Sequence, residues 1–254
     1  MYLRSPNRHS PDFVQAGYAH DTDFNGAGQE GVGLYQVTHK NGERYSAAKA
    51  YLTPHRARAN LQVITGAHAT RILLEGKRAV GVAFVQDGQQ RELRARREVL
   101  LSAGARLSPQ LLLLSGIGPA DQLRAHGITP QHELPGVGRK LQDHVDVVLV
   151  YDAPQLTDLF GLSFKGALNM VRGIFEWRRQ RSGMLTTNFA EAGGFIRSQA
   201  GEPIPDLQLH FVVGKLVNHG RTTTTGHGYP CHVCRARKAA AACAWPAPTR
   251  WPHR

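Results

Sequence analysis

Residues 102–119, Ser-Ala-Gly-Ala-Arg-Leu-Ser-Pro-Gln-Leu-Leu-Leu-Leu-Ser-Gly-Ile-Gly-Pro, restrict the fold more than any other stretch of the 254-residue chain. The segment from Glu92 to Leu101 reads as a strand that delivers the chain to Ser102-Ala-Gly104. Ser108 then reads as a helix N-cap with Pro109 at the first helical position, and Gly116 and Gly118 end the helix after four leucines. A strand, a glycine turn and a helix N-terminus in that order let backbone N–H groups approach an anionic or electron-rich ligand. A plain strand-to-helix turn carries the same signature, so the segment needs further company before it points to a function.

Around this segment the punctuation is clear. The first fifty residues are rich in glycine, asparagine and aspartate, with Asp21-Thr-Asp-Phe-Asn-Gly26 as the main turn cluster, and little regular structure is expected there. Leu61 to Thr65 reads as a buried strand; Ala69 to Leu74 and Ala79 to Val85 flank Glu75-Gly-Lys-Arg78 as a hairpin, and Asp87-Gly88 makes the next turn of a small meander. Pro119 to His126 fits a second short helix, and Val145 to Tyr151 an apolar strand. Asp152-Ala-Pro154 is the expected domain boundary. From Phe164 to Arg181 a 3.6-residue period predicts an amphipathic helix, and Leu207 to Val213 alternates as a strand.

Charge and cysteine content narrow the alternatives. A net charge of +12 raises the question of nucleic acid. Five of the bases, Arg235, Arg237, Lys238, Arg250 and Arg254, fall in residues 235–254 without an acid, and the clusters Arg91–Arg97 and Arg172–Arg181 interleave acids and apolar residues as solvated faces do. No nucleic-acid partner is expected, although a basic, non-enzymatic module for nucleic acid or an acidic partner is the competing reading. No run approaches the roughly eighteen apolar residues of a membrane span, and Met1-Tyr-Leu-Arg-Ser5 lacks a secretory core, which points to a cytoplasmic site. Cys231, Cys234 and Cys243 make no disulfide framework, and Cys231-His-Val-Cys234 is half a zinc site, so no metal is expected.

The order of the motifs says more than any one of them. Asn25-Gly-Ala-Gly-Gln-Glu-Gly-Val-Gly33, Tyr45-Ser-Ala-Ala-Lys-Ala-Tyr-Leu52, Asn60-Leu-Gln-Val-Ile-Thr-Gly66, the 102–119 segment and Leu134-Pro-Gly-Val-Gly-Arg-Lys-Leu-Gln-Asp-His144 follow one another as five blocks. In this order they resemble the glucose-methanol-choline flavoenzymes, over roughly residues 12–234. The resemblance implies a mixed α/β class with α+β character: part of an FAD-binding domain in residues 1–152 and part of a substrate domain, built on an antiparallel sheet, in residues 153–234. It also implies FAD as cofactor, oxidation of a primary alcohol with hydride passing to the flavin, and a quinone or other electron acceptor. Peripheral association with the inner face of a membrane is compatible with such a protein.

The resemblance assigns roles to few residues here. Ala69 matches a position that touches the adenosine part of FAD through its backbone, where relatives commonly carry valine. Asp143 and His144 fall in the block near the flavin. Glu191, in Asn188-Phe-Ala-Glu-Ala-Gly-Gly-Phe195, matches a glutamate that faces the substrate in choline-oxidising relatives, whereas the Gly226–Cys234 run resembles a strand of the aliphatic alcohol dehydrogenases. The family's catalytic histidine belongs to a later segment, so no catalytic residue is assigned. Gly26, Gly28, Gly31 and Gly33 read as spaced differently from Gly-x-Gly-x-x-Gly and follow no predicted strand, so the dinucleotide fingerprint at a first βα turn is not expected in this chain. The chain therefore reads as an internal piece of an enzyme, inactive alone.

The end of the chain reads as out of frame. After Cys234 relatives continue close to Pro-Lys-Ser-Arg-Gly-Ser-Val. Shifting the frame from the third base of the Ala236 codon makes Arg237, Lys238, Ala239, Ala240, Ala241, Ala242 and Cys243 permit those residues in turn. Residues 235–254 are accordingly expected to be a frameshifted, disordered tail.

Overall fold

The computed structural model describes residues 16–152, 164–212 and 228–241. In chain order the strands are β1 (Gly31–Leu34), β2 (His39–Lys40), β3 (Glu43–Arg44), β4 (His68–Glu75), β5 (Arg78–Gln86), β6 (Gln89–Arg94), β7 (Ile117–Gly118), β8 (His132–Glu133), β9 (Leu141–Asp152), β10 (Ala192–Ile196), β11 (Leu207–Phe211) and β12 (Gly228–Ala241). The α-helices are α1 (Gly104–Leu114), α2 (Ala120–Ala125) and α3 (Phe164–Gln180). Contacts divide the chain into two units, one containing residues 58–143 and the other residues 1–57 with 144–237.

In the unit of residues 58–143, β4, β5 and β6 form an antiparallel meander. Asp87 and Gly88 both take positive φ, 52° and 75°, which is the backbone that a two-residue hairpin demands and why Asp-Gly stands there. The meander buries Ile72, Val80, Ala83 and Phe84, with the consecutive Ala83 and Phe84 on opposite faces of β5. Leu113, Leu123 and Val137 make a second cluster, with Leu112 and Ile128 packed on it. Ser115 ties helix to meander: its hydroxyl donates to the Leu111 carbonyl at 2.6 Å and accepts from the Ile72 N–H at 2.8 Å, all buried. Ser115→Ala leaves that N–H without a partner. A loss of about 2 kcal/mol is expected by urea denaturation.

Two details of this unit differ from the sequence reading. Helix α1 begins at Gly104, not at Pro109, so Ser108 is inside the helix and Pro109 replaces a residue whose N–H would have bonded. Gly104, at φ +82°, turns the chain into the helix early, and the Ser108 hydroxyl accepts from the Ala103 N–H at 3.1 Å. Residues 61–65 are irregular and not a strand, because no described strand pairs with them; only the Gln86 side chain reaches the Thr65 carbonyl, at 3.0 Å. Regular structure after Asp87-Gly88 ends at Arg94, short of Leu101.

The other unit is organised by a five-stranded sheet in the order β1-β10-β11-β12-β9. The glycine-rich opening is more ordered than its composition suggests. Gly31, Val32, Gly33 and Leu34 pair antiparallel with Phe195, Gly194, Gly193 and Ala192. Glycines suit this corner because neighbours come too close for a side chain: a Cβ on Gly194 would lie 2.6 Å from the Gly31 carbonyl oxygen. Val32 is almost fully buried, and Phe24, Tyr35 and Phe195 pack as a ring cluster with centroids 5.2–6.1 Å apart. β11 pairs with β12 from Leu207↔Arg235 to Phe211↔Cys231, and extended backbone continues to Ala241. Residues 242–254, the rest of the expected tail, lie outside the described residues.

Candidate functional site

Glu191 lines a cavity. It precedes β10, and its carbonyl accepts from the Tyr35 N–H at 2.8 Å, which fixes the segment against the end of β1. The cavity holds about 270 Å³ and is lined on this side by Tyr35, His39, Asn188 and Glu191, with Lys40 and Arg181 also at its wall. The two cations are engaged elsewhere. Lys40 sits over the Tyr45 ring at 5.1 Å, and Arg181 pairs with Glu43 and stacks on Trp177 at 4.3 Å. Among the described residues Glu191 has no ion pair, and it is the acidic residue in this cavity's wall.

Glu43 stabilises the cavity's edge. The Lys49 ammonium bonded to it holds its carboxyl below the ordinary 4.5, against an opposing effect of burial, and the Arg181 guanidinium adds to the lowering. Because the folded value is depressed, this contribution is present above pH 4.5 and is lost as pH falls through the lowered value.

The cofactor-side residues are arranged differently. Ala69 is exposed in β4 opposite Phe84, and the register slips between Ala69 and Arg71, which leaves Thr70 as the unmatched residue of a bulge. Asp143 and His144 are consecutive exposed positions of β9. Ala69 and Asp143 belong to the unit of residues 58–143, and His144 and Glu191 to the other. Cys231, His232 and Cys234 stand in β12 opposite Phe211, His210 and Gln208.

Gly26, Gly28 and Gly31 do have the Gly-x-Gly-x-x-Gly spacing, and context decides what they are. They occupy a turn that leads into strand β1, so no helix N-terminus follows to face a pyrophosphate. A different part of the chain suits an edge of a dinucleotide. A Cβ on Gly104 would meet nothing within 4 Å, leaving the backbone at the start of α1 open to close approach. A cavity of about 400 Å³ lies beside Ala105, Ser108, Gly136, Arg139 and Lys140, in the same unit. Tyr35, His39 and Asn188 escaped the sequence reading; the only signal for them was proximity to the glycine run and to Glu191.

A GMC oxidoreductase family model matches residues 13–146, more than half the chain, and this protein belongs to that family. The chain is 44% identical over 238 residues to the alcohol dehydrogenase [acceptor] of Pseudomonas putida, covering 91% of this chain and 43% of that protein. It is also 44% identical over 219 residues to human mitochondrial choline dehydrogenase, covering 86% and 36%. In fold it is similar to formate oxidase of Aspergillus oryzae RIB40, solved in a study of FAD modification, at a TM-score of 0.75 and 23% identity, over 87% of this chain and 43% of that one. The chain thus spans less than half the length of these relatives.

Proposed function

We propose that these 254 residues are the middle of an FAD-dependent oxidoreductase that acts on the CH–OH group of a primary alcohol. Residues 1–152 supply the cofactor side, with β1 crossing into the sheet of the substrate side, and residues 153–234 supply the substrate side. FAD, when bound, supplies the hydride acceptor, and a quinone or other acceptor takes the electrons onward. The Ala69 backbone in β4, beside the register shift at Thr70, and Asp143 and His144 in β9 are the groups proposed to hold it. A cytoplasmic protein touching the inner face of a membrane fits this chemistry, since a quinone is dissolved in the bilayer.

The observation that carries the reading is the Glu191 carboxylate in a cavity of alcohol size. A carboxylate there selects for a cationic alcohol of the choline type, while the strand containing Cys231 resembles that of enzymes for aliphatic alcohols, so the substrate class is stated as primary alcohols. Choline and its uncharged isostere 3,3-dimethylbutan-1-ol separate the two. In ligand-observed NMR on the chain, Glu191→Gln is expected to weaken choline binding about tenfold, the scale of one partly screened charge pair, and to leave the isostere unchanged. Equal loss for both ligands would remove Glu191 from the substrate side.

A further inference from the structure

We propose that the outward face of α3 is a docking surface for an anionic membrane leaflet. This rests on the membrane-side placement above, not on the redox chemistry. Helix α3 is inverted relative to an ordinary surface helix. Its inward side is made by buried Gly173 and by Trp177, whose indole N–H donates to the Gly42 carbonyl at 2.8 Å, while Glu176 accepts from the Ser182 hydroxyl at 3.3 Å. Its solvent side is apolar: Leu168, Val171 and Phe175, spaced i, i+3 and i+7, are 63%, 51% and 61% exposed, with Ile174 beside them. The usual amphipathic arrangement puts such a stripe against the core.

The charge around the stripe identifies what covers it. On the helical wheel Arg178 continues the Leu168–Val171–Phe175 row, and Arg172 and Arg179 flank it. None of the three pairs with a carboxylate among the described residues. The helix has four bases and one acid, Glu176, which points inward to Ser182. A protein partner would have to bury three unpaired guanidinium groups or supply an acid for each. A leaflet of anionic lipid takes the apolar stripe into its acyl boundary while the long arginines keep their heads among the phosphates. No helix among the described residues is long and apolar enough to cross a membrane, so α3 lies along the surface instead of spanning it.

Flotation of the 254-residue chain with vesicles tests this. Binding is expected to vesicles of phosphatidylglycerol mixed with phosphatidylcholine and to be much weaker with phosphatidylcholine alone. The R172Q/R178Q/R179Q variant is expected to lower the partition coefficient about a hundredfold, near fivefold per arginine. V171S/F175S is expected to abolish flotation while far-UV circular dichroism stays that of the parent; all these positions are exposed, so the fold is not at risk. A parent chain that does not float, floats equally on neutral vesicles, or is indifferent to the arginine changes overturns the proposal, the last two marking α3 as a site for a protein or a second copy. None of these readouts involves flavin or alcohol, so failure here leaves the redox reading standing.

Discussion

Gly193→Val is expected to destabilise the five-stranded sheet strongly. Gly193 pairs with Gly33 on one side and His210 on the other, so it is a central strand residue with no freedom to move. A Cβ there would sit 2.6 Å from the Tyr35 hydroxyl oxygen and far inside van der Waals contact distance of the Leu209 carbonyl oxygen. Those two groups are themselves joined, the Tyr35 hydroxyl donating to Leu209 at 2.6 Å, so neither can retreat without breaking the other's bond. Overpacking of this kind costs about 3 kcal/mol before the lost hydrogen bond is added. The thermal midpoint should fall by roughly 10 °C, and the Phe24–Tyr35–Phe195 ring cluster should lose its near-ultraviolet circular dichroism. An unchanged melt would mean that the β1–β10 pairing does not exist in solution.

The second large effect concerns catalysis. The purified 254-residue chain is expected to be colourless and to reduce no artificial electron acceptor with either choline or a long-chain alcohol. The cofactor-side groups proposed above, at Ala69, Asp143 and His144, would reach only part of FAD. The one Gly-x-Gly-x-x-Gly run leads into a strand, so it offers the pyrophosphate no helix dipole and no row of free N–H groups. Flavin that copurifies at one equivalent, with alcohol-dependent dye reduction, would show that this stretch alone is enough.

The parts of the fold that were legible are those whose partners lie nearby in the chain. The β4–β5 hairpin, helix α2 and helix α3 follow from Gly76, from Pro119 before an apolar period, and from the spacing of residues 168–175. What was illegible depends on distant partners. Gly31–Leu34 is half glycine, with only Val32 and Leu34 as apolar positions, and is held as a strand by Ala192–Phe195 beside it. Residues 61–65 have good strand composition but no described neighbour, and a strand without a neighbour leaves its backbone groups unsatisfied. Helix α1 was misplaced at its start because a glycine at φ +82° outranked the Ser-Pro signal.

The site divides in the same way. Glu191 could be singled out from its local motif, and the structure puts it in a cavity. Tyr35 could not, since what holds it is Leu209, 174 positions away. The arginines of α3 read as a solvated cluster from sequence. Only the burial of Gly173 and the bond from Trp177 to Gly42 reveal that the apolar side faces outward.

The most direct test of the central claim is the nucleotide sequence on both sides of this reading frame. The account predicts an upstream in-frame strand–Gly-x-Gly-x-x-Gly–helix unit, and a shifted frame beyond the Ala236 codon that reads Pro-Lys-Ser-Arg-Gly-Ser-Val and continues to a histidine-bearing segment. Flanking sequence without a dinucleotide-binding unit, together with an unshifted frame that reproduces residues 237–254, would contradict it.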